Sequence, residues 1–386
     1  MTHTRRKRLI ALLCALVGAI TAAVPIITAG EEGQILATGH RPTALLLDHA
    51  AGRLLVSQAG RIAGAGDAVV SIFNSHSGQL LAQVGAQGSP EVVAWSLDRR
   101  GAVIEDTSRG SLLLVDSYGH AHGPVAPRPV VPDAENSTSV ADTALFPGVR
   151  AGPASLRIVS GSLYWTAADQ EPRLIALPMV PLTLIADPSA RRVLVFGSRD
   201  AGLPEAFGGP GVCSVIDTRT GKVQRTLSVG TGPWHPALDR HLHRAFVANA
   251  GSGTVTIIDS RTGRIVRTID VGDHPAAVAV DERHHRVFVA LQGTQVCPAL
   301  SRCSGTDWAG DGQVVALTAD GVRLHSWRTG GIPFAVAADD ATGHVFVLDS
   351  GGAMHHPPSW LPGWLGRWWP ESTKPAPGRV IMLSST

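Results

Sequence analysis

Apolar residues in this chain come in short runs, many alternating with polar ones and nearly all bounded by glycine, proline or aspartate. Thr254-Val-Thr-Ile-Ile258 alternates with the period of a strand half-buried on one face, and Arg286-Val-Phe-Val-Ala290 is the continuous run of a fully buried strand. The runs repeat in order. A proline opens a first strand, as in Pro275-Ala-Ala-Val-Ala-Val280, and an aspartate closes it six residues after the proline. A Val-rich second strand, an alternating third strand, a Thr-Gly turn and a fourth strand such as Arg264-Ile-Val-Arg-Thr-Ile269 follow. Proline at the head of a strand forfeits no ladder hydrogen bond there, and the turn glycine supplies the backbone freedom a tight hairpin requires.

The repeat is visible in the numbering. Pro233 and Pro275 lie 42 residues apart, as do the turns Asp217-Thr-Arg-Thr-Gly-Lys222 and Asp259-Ser-Arg-Thr-Gly-Arg264. The Pro-to-Asp spacing recurs at Pro42/Asp48, Pro181/Asp187, Pro233/Asp239, Pro275/Asp281 and Pro333/Asp339, and Pro90/Ser96 keeps the spacing without the acid. A four-stranded unit cannot cover both of its apolar faces, so such units must stack, as propeller blades do. The fold class predicted is all-β: a β-propeller of four-stranded antiparallel blades. Six lead prolines give six units, and the stretch between Pro90 and Pro181 has room for another, with strands at Leu156-Arg-Ile-Val159 and Ser162-Leu-Tyr-Trp-Thr166. Seven blades are expected, six being the alternative. Arg379-Val-Ile-Met-Leu-Ser384 reads as a third strand with no fourth after it, so Gln34-Ile-Leu-Ala-Thr38 is expected to close the ring and cover the open edge.

Phe246-Val-Ala-Asn249, Phe288-Val-Ala290, the Gly-x-x-Pro lead and the Asp-x-x-Thr-Gly-Lys/Arg turn resemble the YVTN-repeat β-propeller family, exported bacterial proteins of lactonase-like shape. The likeness is good from 181 to 350 and loose from 42 to 180. It implies a scaffold and no particular activity.

Composition adds a compartment. The net charge of +2 rests on Arg5-Arg6-Lys7-Arg8; residues 1–30 hold no acid, and without them the balance is −2. A nearly neutral body argues against nucleic acid as the partner. The basic cluster precedes the apolar run Leu9–Ile27, so 1–30 reads as a signal peptide or retained signal anchor and 31–386 as one propeller domain. The body is expected to be exported, whether extracellular, at the cell surface or periplasmic, with membrane association possible through the N-terminal segment. Export permits disulfides, and Cys297 and Cys303 stand close enough in one loop to bridge; Cys213 reads as a buried thiol.

Function is less legible. In a four-stranded meander the second-to-third-strand loops and the links between blades fall at one end. Long insertions occur there at 61–67, 198–211, 291–312 and 350–378, which marks that end for binding. The last insertion carries Trp360, Trp364, Trp368 and Trp369, expected to form an interaction loop. Trp234 and His235 stand where other first strands have Ala276-Ala277, Phe334-Ala335 or Thr43-Ala44, and Arg41 and His274 precede lead prolines; these four are the candidate ligand-binding residues. No catalytic constellation, metal motif or cofactor motif stands out. The reading is a monomeric scaffold binding a protein, glycan or small ligand, more a binder than an enzyme, with no cofactor. The alternative is a lactonase-type hydrolase or lyase using His235, His274 and Arg41.

Overall fold

The computed structural model describes residues 33–36, 41–59, 68–86, 90–95, 102–106, 111–116, 118–125, 149–151, 154–159, 161–166, 171–199, 209–295, 311–351 and 378–384. No helix occurs among them, as the strand-period pattern predicts. After β1 (Gly33–Leu36), sheet I comprises β2 (Arg41–Asp48), β3 (Arg53–Ala59), β4 (Ala68–Asn74) and β5 (Leu80–Ala86). Sheet II holds β6 (Pro90–Trp95), β7 (Ala102–Asp106), β8 (Ser111–Val115) and β9 (Ala121–Val125). Sheet III holds β10 (Val149–Ala151), β11 (Ala154–Val159), β12 (Ser162–Thr166) and β13 (Arg173–Ile175). Sheet IV holds β14 (Val180–Asp187), β15 (Arg192–Ser198), β16 (Gly211–Asp217) and β17 (Lys222–Val229). Sheet V holds β18 (Pro233–Asp239), β19 (Arg244–Asn249), β20 (Thr254–Asp259) and β21 (Arg264–Asp270). Sheet VI holds β22 (Pro275–Asp281), β23 (Arg286–Leu291), β24 (Gln313–Thr318) and β25 (Arg323–Arg328). Sheet VII holds β26 (Pro333–Asp339), β27 (His344–Asp349) and β28 (Arg379–Ser384), with β1 as its fourth strand, antiparallel to β28.

Each lead proline stands at or next to the start of a first strand, and sheet III is the unit that lacks one. The core lies between sheets. Phe196, Phe246, Phe288 and Phe346, from second strands, are fully buried. Apolar clusters join sheet I to II, III to IV, IV to V, V to VI, VI to VII and VII to I. First strands contact one another in the series β10, β14, β18, β22, β26, β2 and β6. Cys213 sits in the cluster between IV and V, a free thiol whose ionisation burial pushes far up.

Two ends follow from this topology. At the insertion end, first strands begin and second strands run into third strands. There Gly312 and Gly378 are obligatory for close approach: a Cβ on either would overlap the lead proline of the next sheet, Pro333 or Pro42. At the turn end, side chains tie neighbouring sheets together. His243 of sheet V donates through Nδ1 to Asp187 Oδ2 of sheet IV (2.7 Å), and His285 of sheet VI to Asp239 Oδ2 of sheet V (2.6 Å). Arg244 of sheet V pairs with Asp320 of sheet VI, and the Trp165 indole of sheet III donates to the Thr218 carbonyl of sheet IV.

Candidate functional site

The insertion end carries the sequence-derived candidates. The long connections run from β3 to β4, β15 to β16, β23 to β24 and β27 to β28, each joining a second strand to a third. Most of their length lies outside the described residues, as do Trp360, Trp364, Trp368, Trp369, Cys297 and Cys303. Arg41 begins β2; its side chain is outside the description too.

Trp234 and His235 are brought together in β18, their rings edge to face with centroids 5.2 Å apart. A local irregularity places them. First strands bulge directly after the lead proline in sheets I, IV, VI and VII, for example between Pro275 and Ala277. In β18 the bulge is displaced, lying between Trp234 and Ala237. His235 occupies it with φ of 36°, left-handed backbone that a side chain with a Cβ adopts at a cost of about 1 kcal/mol. Its imidazole is half-buried, and burial holds its pKa down at about 4, so at neutral pH the ring is uncharged. No hydrogen bond engages its ring nitrogens among the described residues, which leaves one donor and one acceptor for a ligand.

His274 is also left-handed (φ 50°), immediately before Pro275. Its Nδ1–H donates to the Gly293 carbonyl at 3.3 Å, toward the connection after β23. Thus only Trp234 and His235 of the candidates are shown in mutual contact.

Sequence reasoning missed a set of buried polar residues at the same end. Gln58, Asn249 and Asp349 stand across the ladder from Pro42, Pro233 and Pro333. All three are fully buried; Gln58 Oε1 and Nε2 and Asn249 Oδ1 lack a hydrogen-bond partner, while Asp349 Oδ2 forms an ion pair with the Arg379 guanidinium at 3.6 Å. Asn249 Nδ2 is held by Thr254 and Thr256. Asp349 Oδ1 accepts from the Ile332 and Gly351 amides, and burial raises its pKa. Buried polar atoms without a partner are sites for water or for the polar groups of a ligand. The signal was present: three of the second strands end on Gln-Ala, Asn and Asp where an apolar residue would complete the run.

At the turn end the histidines differ sharply in exposure. His241 is exposed, whereas His243 is largely buried, pinned to the fully buried Asp187. Asp187 also accepts from Ser189 and Ser260, and these bonds, against the burial that opposes them, hold its pKa at about 2. The described residues contain no group of three or more His, Cys, Asp or Glu able to hold a metal ion. No protein-family model matches the chain, and no curated protein matches it either.

Proposed function

We propose that this is an exported, closed seven-bladed β-propeller of YVTN-repeat type that binds its ligand at the insertion end, at a site built on Trp234 and His235. The observation that carries the binding site is His235 itself. A histidine held in left-handed backbone, neutral and with unengaged ring nitrogens is a strained feature with no structural bond to explain it. The Trp234 indole beside it offers an apolar face, and Asn249 of the same sheet adds an unpaired acceptor. Arg41, His274 and the loop carrying Trp360, Trp364, Trp368 and Trp369 complete the proposed surface. Ring closure is supported by the run of sheet-to-sheet clusters and by the pairing of β1 with β28. A non-catalytic role fits better than the lactonase-type alternative, because an imidazole with a pKa near 4 is a poor general base at neutral pH.

The test is a thermal-shift screen of the full chain against neutral sugars, lactones, quinone cofactors and divalent metals, repeated with Trp234→Ala and His235→Gln. The expected result is a ligand that raises the melting temperature of the wild type and of neither variant. Stabilisation that survives both substitutions places the site elsewhere, and turnover of a lactone lost with His235→Gln favours the enzyme.

A further inference from the structure

In sheets IV, V and VI the turn end sorts its charges. In their first-to-second-strand turns the acid faces inward: Asp187, Asp239 and Asp281 are buried and accept the amides of Ala190, Leu242 and His284. In the third-to-fourth-strand turns Asp217 and Asp259 likewise accept turn amides. Glu282 and Asp320 are paired with Arg240 and Arg244, and Glu171, between β12 and β13 at the same end, is exposed. The bases face outward. Arg219, Arg261 and Arg283, in the turns of the consecutive sheets IV, V and VI, are exposed, and no hydrogen bond or ion pair holds their guanidinium groups among the described residues.

Apolar residues are exposed at the same end. Tyr118, Leu242 and Val322 sit at turn tips, at 70%, 40% and 56% exposure. Apolar tips among unpaired arginines match the interfacial zone of an anionic bilayer, where the tips enter the headgroup region and the arginines meet lipid phosphates.

Gly33 of β1 pairs with Leu383, next to Ser384, and Ser384 pairs with His344 at the turn between β26 and β27. The chain therefore enters β1 at the turn end.

We infer that the turn end is a membrane-docking face, on which Arg219, Arg261 and Arg283 bind the phosphates of anionic lipids while Leu242, Val322 and Tyr118 enter the interface. Docking this way leaves the insertion end directed away from the bilayer, and the inference stands or falls independently of what the insertion end binds.

The experiment uses the full chain, floated with vesicles of phosphatidylcholine alone or mixed with phosphatidylglycerol. The ratio of anionic to neutral partitioning removes the contribution of the apolar run, common to both lipids. The triple variant Arg219→Gln, Arg261→Gln, Arg283→Gln is expected to lower that ratio roughly a hundredfold, about fivefold per charge, and high salt should do the same. Arg328→Gln, at the insertion end, is expected to leave it unchanged. Amide hydrogen exchange of the wild type on anionic vesicles should slow in turns 239–244 and 259–264, a readout independent of how the variants fold. The inference is overturned if the triple variant keeps the ratio, if protection falls on the insertion end, or if DNA or polyphosphate binds this face while vesicles do not.

Discussion

His235 concentrates the residue-scale argument. Its folded pKa of about 4 lies below the 6.5 of a free imidazole, so between these values the unfolded chain binds a proton that the folded chain refuses. Acidification from about pH 6.5 to about 4 therefore favours unfolding through this residue. His235→Gln is expected to flatten that part of the urea-midpoint profile relative to the wild type. A parallel profile for the variant would mean that the imidazole is not held neutral. Asp187 acts with the same sign in a separate, more acidic window. Its pKa is depressed from 3.8 to about 2, so the stability it contributes is complete above 3.8 and is lost as pH falls toward 2. The two contributions are separable by pH alone.

The turn between first and second strands is the element that decides how sheets lock. Its fifth position, counted from the closing aspartate, is left-handed in five sheets: Gly52, Arg191, His243, His285 and Gly343. Glycine takes this backbone without cost, and histidine does not. At His243 and His285 the strain is offset by a charge-assisted bond to the preceding sheet's buried aspartate. Replacing Asp187 with Asn or His243 with Ala should each destabilise the protein by about 2–4 kcal/mol, since each leaves a buried partner unsatisfied. A double-mutant cycle should return a coupling of roughly 1–3 kcal/mol. Additive effects would show that the 2.7 Å contact is incidental. The sequence displayed the Asp-to-His spacing in both repeats, yet read within one unit those histidines are mere turn residues. Their partners lie 56 and 46 residues away, and only the stacking of sheets brings them within reach.

At the scale of the molecule, sheet VII joins the two ends of the described chain. β1 covers β28, and Leu36 packs in the cluster shared by sheets VII and I. Removing residues 1–36 bares the ladder edge of β28 as well as this apolar surface. The truncated protein is expected to melt lower and to aggregate, measured by calorimetry and light scattering. Gly378→Ala probes the same seam from the other side, because its Cβ would overlap Pro42. A cost of about 1–3 kcal/mol in chemical denaturation is expected. A variant as stable as the wild type would mean that the seam has room to give.

The strand pattern, the lead prolines and the 42-residue spacing by themselves determined that the chain is all-β and built of four-stranded units, down to the divergent strands at Leu156 and Ser162. Such periodicity is local, written wherever one face is buried and the next exposed, and so survives in one dimension. Tertiary structure alone decided the displaced bulge at His235, the aspartate–histidine ties between sheets, the buried Gln58, Asn249 and Asp349, and the separation of acid from base at the turn end. Each depends on which side of a turn or strand meets the neighbouring sheet. That orientation is fixed by packing between units, whereas the repeat specifies only the unit itself.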